Sequence, residues 1–242
     1  MKKHLLLFVA LVATSFCAKA QTNIQEQYDF NREHLTTTLE MFKMDKWGST
    51  FFFTDIYHPT NESMPTGYYT EIARGLNFWQ NTKLGGLSAH VEWNGGQFAE
   101  RAWLFGAEYL FHSKDFRYTL TLEVLYKTIV NGTQDVPMQF TIVWGCADIF
   151  GLKGLVFSGF ADFWWETKEW VNETTVEKTT GVFISEPQIW YNIGQFFKCP
   201  NLFIGGEVEL AYNFAGGWYP VTTMHKNKGF TAAPACGIKW NF

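Results

Sequence analysis

Between Phe51 and Asp55 the chain places three aromatic rings and a carboxylate in five residues. In extended backbone, alternate side chains share a face. Phe51, Phe53 and Asp55 therefore stand together, opposed by Thr50, Phe52, Thr54 and Ile56. The first face offers ring planes for stacking and a carboxylate for hydroxyl groups. A shift of one residue exchanges the two faces, and the run is apolar on both, so the local pattern leaves the choice open. Carboxylates and bases recur at alternate positions elsewhere. Strand parity gathers Glu40, Asp55, Glu71, His90, Glu92, Glu108, Arg117, Glu123, Lys127, Asp162, Glu166, Glu186, Glu207, Glu209 and Lys239 on polar faces, with Trp164 between Asp162 and Glu166. Enclosed together, opposite charges among them would pair and brace the walls that carry them. Ser88 and His90 lie two apart on one face, so a nucleophile and a base could meet. No acidic orienter stands at a matching spacing, and no catalytic residue is assigned.

The remaining candidates for chemistry are sparse. His34, His58 and His225 fall in turns or loops and His112 at a strand end, so no metal cluster is evident and no cofactor is expected. Cys146, Cys199 and Cys236 are too scattered for a disulfide framework or a metal site. Cys146 and Cys236 fall on apolar faces, as small buried hydrophobes do.

Strands must position these groups. In 115–127, Phe116, Tyr118, Leu120, Leu122, Val124 and Tyr126 oppose Arg117, Thr119, Thr121, Glu123 and Lys127. In 201–214, Leu202, Ile204, Val208, Leu210, Tyr212 and Phe214 oppose Glu207, Glu209 and Asn213. In 86–94, Leu87, Ala89, Val91 and Trp93 oppose Ser88, His90, Glu92 and Asn94. The chain closes on Cys236, Ile238, Trp240 and Phe242 along one face and Gly237, Lys239 and Asn241 along the other. Strands of this kind are expected near residues 23–32, 35–45, 48–57, 67–79, 86–94, 101–112, 115–127, 137–147, 153–167, 181–194, 201–214 and 230–242. Tight connections at Lys46-Trp47-Gly48, around Lys114-Asp115 and at Ile149–Leu152 alternate, imperfectly, with longer ones at Pro59–Thr66, Asn131–Val136, Glu169–Thr180 and Ala215–Lys228.

Composition decides between a soluble β-structure, which also alternates, and a membrane barrel. Charged residues are 17% and aromatics 19%, with 11 Trp and 24 Phe; soluble domains carry about 25% charged residues. Mean hydropathy is only −0.12. A wall alternating lipid-facing and water-facing residues, with aromatics at the ends of its apolar faces, combines these features. Residues 1–20 have the form of a secretory leader: basic Lys2 and Lys3, an apolar run from Leu5 to Phe16, then Ala18-Lys19-Ala20. The fold expected for 21–242 is all-β, a single closed antiparallel transmembrane β-barrel of about 12 strands in one domain. The leader implies Sec export to a Gram-negative outer membrane, with lipid as a partner and a monomer as the expected state. The 19 Lys and Arg face 23 Asp and Glu, and an acidic balance argues against nucleic-acid binding.

The stretch from Glu40 to Asp55 resembles the Tsx family, nucleoside-specific channels of the bacterial outer membrane. That family has an early strand ending in Lys-Asp-Trp, followed by an aromatic-rich strand ending in Asp. Tyr69-Thr70-Glu71-Ile72 and the closing Gly237–Phe242 segment sit where matching elements would. The resemblance covers about Ile24 to Phe242 at the level of pattern. It implies a barrel of about twelve strands, a narrow pore and passage of nucleosides. On that footing Phe51, Phe53, Asp55, Glu71, Glu92, Arg117 and Glu123 are the expected pore-wall and ligand-binding residues, with Arg117 among carboxylates setting a field across the lumen. The solute would be small, neutral and nucleoside-like, and the acidic excess would repel nucleotides. A plugged structural or surface-binding barrel is the alternative, and an outer-membrane lipid-modifying enzyme a lesser one.

Overall fold

The computed structural model describes residues 21–59, 65–97, 101–130, 136–171, 176–214 and 229–242. The expected leader, the expected loop Ala215–Lys228 with His225, and the middles of the other expected longer loops lie outside the described residues. The strands are β1 Gln21–Asp29, β2 His34–Asp45, β3 Gly48–Pro59, β4 Gly67–Leu76, β5 Leu87–Gly96, β6 Ala102–His112, β7 Tyr118–Ile129, β8 Met138–Ala147, β9 Leu155–Val171, β10 Val176–Ser185, β11 Gln188–Tyr191, β12 Leu202–Tyr212 and β13 Phe230–Asn241. Each pairs antiparallel with its neighbours, and β13 returns to pair with β1 from Asn23↔Asn241 to Asp29↔Ala235. The sheet is thus closed, and every strand has two partners, which is what a bilayer demands of backbone amides.

β10 and β11 occupy one position between β9 and β12, so thirteen segments make twelve staves. Ser185↔Ala161 and Gln188↔Ser158 keep the same register on one side, as do Ser185↔Leu210 and Gln188↔Glu207 on the other. Between them lies Pro187, which has no N–H to give the ladder. Its carbonyl still accepts from Val208 N at 3.1 Å, and Glu186 N donates to Phe160 O at 3.1 Å. The stave is one strand with a single missing donor. Sequence expectation placed a strand at 181–194 and a loop at Glu169–Thr180; instead pairing runs back through Trp170↔Glu177, and the chain leaves the sheet after Tyr191 into a short 3-10 turn, Ile193–Phe196.

Turns follow from their residues. Between β2 and β3, Asp45 Oδ1 accepts from Trp47 N at 2.7 Å. Gly48 then takes φ +137°, and a Cβ there would lie 2.2 Å from Gly75 O, so no other residue fits. Between β6 and β7 the strand begins at Tyr118, later than expected. Phe116, expected on the outward face, sits in the turn at φ 56° and stacks on His112 at 3.9 Å. The connections from β2 to β3, β6 to β7 and β8 to β9 lie at one end of the barrel, as expected. The ten residues from β4 to β5 share that end, and the tight β1–β2 turn lies at the other.

The outward face is apolar and uncovered. Ile24, Ile72, Trp103, Phe105, Val124, Tyr126, Phe140, Ile142, Ile204 and Ile238 are all exposed. A belt of this extent belongs against hydrocarbon. Cys146 and Cys236 point outward with it, Cys236 exposed, rather than being buried as expected. Phe214 was expected beside Tyr212 on the outward face. Asn213 at φ 56° breaks the alternation, and Phe214 turns inward onto Trp164 at 5.7 Å. Among the described residues, Glu26 departs from the belt's pattern: it is outward and accepts from Thr37 Oγ1 at 2.7 Å, which also meets His58 Nε2 at 3.0 Å.

Candidate functional site: the barrel interior

The inner face decides what the barrel can do. Pairing of β2 with β3 puts Glu40 opposite Phe53 and Thr38 opposite Asp55, and pairing of β3 with β4 puts Phe53 opposite Glu71. Thr38 Oγ1 donates to Asp55 Oδ1 at 2.5 Å, and Asn23 Nδ2 donates to Glu40 Oε1 at 2.8 Å. Phe51, Phe53 and Asp55 thus share the interior with buried Asn23, Gln25 and Gln27 of β1. Thr50, Phe52, Thr54 and Ile56 face out. The rings form a continuous strip: Phe51 to Phe53 at 5.8 Å, and Phe53 to Tyr69 at 5.8 Å. Tyr69 Oη donates to Glu71 Oε1 at 2.5 Å, and Tyr57 continues the same face to His34 at 5.5 Å.

Across from this strip the interior is packed. Leu104, Leu125, Val182 and Trp190 are 0% exposed. Ala102, Leu104, Leu125 and Ile129 form one apolar cluster, and Trp164, Val182 and Ile184 a second. Sequence reasoning missed Leu104 because Ala102–Phe105 is apolar on both faces and gives no alternation to follow. Polar side chains thread between the clusters. Lys127 Nζ donates to Gln139 Oε1 at 2.7 Å and lies 3.7 Å above the Trp164 ring. Gln139 donates to Thr141, and Thr141 donates to Asp162 at 2.6 Å. Lys239 sits 4.4 Å over Trp190, whose Nε1 donates to Gln188. Arg32, in the β1–β2 turn, folds inward to pair with Asp29 at 2.8 Å and with Glu209. The strand expected through residue 32 hid this role.

β5 gathers several titratable groups around one side chain. His90 Nδ1 is 2.7 Å from Glu108 Oε2 and 3.8 Å from Glu123 Oε2, and its Nε2 is 3.2 Å from Glu92 Oε2. Ser88 lies on the same inner face, but both His90 nitrogens face carboxylates, so the nucleophile–base meeting that the spacing allows does not form. No metal cluster was evident along the sequence. The fold makes this grouping from three neighbouring strands.

Of the expected pore-wall residues, Phe51, Phe53, Asp55, Glu71, Glu92 and Glu123 all face the interior. Arg117 does not. It lies just before β7 in the β6–β7 turn with its side chain 55% exposed, and pairs with Asp115. The turn begins at Ser113, so strand parity carried back from Glu123 fails before it reaches Arg117. The Ser113 hydroxyl and the Arg117 guanidinium hold the Asp115 carboxyl well below the usual carboxylate range. The field across the lumen therefore comes from Arg32, Lys127 and Lys239 among many carboxylates.

A closed twelve-stave antiparallel barrel with an apolar exterior and a charged interior is a transmembrane β-barrel. A NanC porin superposes on it with a TM-score of 0.56 at 7% identity, over 91% of this chain and 100% of that chain. A KdgM porin aligns at a TM-score of 0.49 and 8% identity, over 92% of this chain and 99% of that one, too loosely to carry an argument. Residues 20–242 match the family described as Domain of unknown function (DUF5020), and the chain belongs to that family. No curated protein matches it.

Proposed function

We propose that this protein is an outer-membrane channel for passive diffusion of small solutes, and that its preferred solutes are neutral, flat and hydroxylated, as nucleosides are. The observation carrying this is the strip formed by Phe51, Phe53 and Tyr69 beside Asp55 and Glu71. Stacking on such rings contributes about 1–3 kcal/mol per base, and carboxylates accept from sugar hydroxyls. Binding of that strength holds a solute briefly and releases it, as conduction requires. The surplus of interior carboxylates disfavours phosphorylated solutes. The nucleoside preference rests on this wall chemistry and on the Tsx-like motifs between Glu40 and Asp55; the outer-membrane location rests on the apolar belt and the porin-type fold.

A second reading has its own support. The interior residues Leu104, Leu125, Trp164, Val182 and Trp190 are buried, as they would be in a plugged barrel serving as a scaffold. Planar-bilayer recording separates the two. A channel gives unitary current that nucleosides reduce more than nucleotides, and Phe51→Ala or Phe53→Ala weakens that block by about tenfold, the equivalent of about 1.4 kcal/mol. A silent bilayer supports the plug; unchanged block in both variants moves the solute site away from β3.

A further inference from the structure

The interior of the barrel holds one polar grouping that solute passage does not explain. His90 on β5, Glu108 on β6 and Glu123 on β7 each bring a ligand atom to within 4.8 Å of the others. We propose that these three side chains bind one divalent transition-metal ion of the zinc class, and the inference stands whether or not the lumen conducts.

Three observations carry it. The first is an orphan. Glu123 is 7% exposed, and its Oε2 has no hydrogen-bond partner among the described residues. It lies 3.8 Å from His90 Nδ1, too far for a hydrogen bond. A buried carboxylate oxygen without a partner costs free energy, and this one is aimed at the cluster. The second is the histidine's orientation. Its Nε2 meets Glu92 Oε2 at 3.2 Å. A carboxylate on the far nitrogen is how metal-bound histidines are usually held, since it keeps the proton there and leaves the other nitrogen's lone pair for the ion. In that tautomer the lone pair faces Glu108 Oε2 at 2.7 Å, an acceptor facing an acceptor, which calls for a cation between them, a metal ion or a proton. The third is space. Gly75 on β4 stands opposite His90, and a Cβ on it would lie 2.2 Å from Glu108 Oε1. Glycine at that position leaves the room the carboxylate occupies.

The donor set fits the ion. One imidazole and two carboxylates neutralise a dication and match a zinc site with three protein ligands and an open fourth position. Ligand atoms around a tetrahedral zinc lie about 3.3 Å apart at the usual bond lengths. The distances of 2.7 and 3.8 Å from Nδ1 straddle that figure, so shifts of less than about an ångström form the site. Glu92 is a positioning residue, not a ligand.

The test uses the folded protein in detergent, stripped with chelator and titrated with Co2+ as a spectroscopic stand-in. Folding is followed throughout by the mobility difference between heated and unheated protein on SDS gels. The expected result is one equivalent bound, with the visible absorption of tetrahedral cobalt, abolished by stoichiometric Zn2+. Glu123→Gln should remove the band. Glu92→Gln should weaken binding by about 10–100-fold. Gly75→Ala, which touches no ligand atom except by crowding Glu108, should weaken it also. Folded wild-type protein that shows no saturable band with cobalt in large excess overturns the proposal and leaves a protonated imidazole between the carboxylates. An undiminished titration in folded Glu123→Gln overturns it equally. Should Glu123→Gln not fold, the same comparison is made with Glu92→Gln, and unchanged affinity there counts against the site.

Discussion

Arg32 shows how much one side chain can hold in place. It sits in a four-residue turn, yet its guanidinium reaches both Asp29 on β1 and Glu209 on β12, and all three side chains are nearly buried. Asp29 Oδ1 also accepts from the backbone N–H groups of Asn31 and Arg32, each at 2.8 Å, so the turn is built around the same carboxylate. Removing one partner of a buried pair leaves the others charged without compensation, which typically costs about 3–5 kcal/mol. Arg32→Ala should therefore lower unfolding stability by about that amount. The measurement is urea unfolding in lipid vesicles, followed by Trp fluorescence. A loss under about 1 kcal/mol would be the ordinary value for exposed pairs, and would mean that water reaches this end of the interior.

At the scale of single elements, Pro187 makes the sharpest expectation. In its stave, residue 187 faces Val208 and accepts from it, but returns nothing. Replacing Pro187 with Val should supply the missing N–H to Val208 O and raise stability by about 1 kcal/mol. The same vesicle assay reads this as a higher unfolding midpoint; a lower one would show that the proline's fixed φ matters more than the ladder. This strand also shows what the sequence made legible and what it hid. Alternation of 2.0 residues located β5, β7, β12 and β13 well, because there one face is wholly apolar and the other polar. It even assigned Trp164 to the interior beside Asp162 and Glu166. It faltered where both faces are apolar, as at Leu104, and where a turn residue with positive φ resets the parity, as at Phe116 and Asn213. Arg117 was lost from the interior because the strand begins only at Tyr118, which leaves that residue in the turn. The His90–Glu108–Glu123 grouping was out of reach altogether, since it depends on the relative register of three strands, and no single strand carries that information.

For the whole molecule, the seam between β1 and β13 matters most. Those strands share seven registered pairs, and β13 is bonded along its other side to β12 over eleven more. Deleting residues 230–242 would expose an edge on β1 and another on β12, each with unpaired amides that hydrocarbon cannot satisfy. Such a truncated chain should give no heat-modifiable band on SDS gels, whatever the refolding detergent; a compact form of normal mobility would mean that β12 can close directly on β1.

The same seam bears on when folding can finish. Strand β1 is the first described part of the chain to be synthesised, and the strand that completes it is the last described one. Until Phe230–Asn241 has emerged, the first stave must wait with one flank open. Among the described residues, no segment other than β13 pairs with that flank. Assembly only after the closing strand is available is therefore a demand written into the topology.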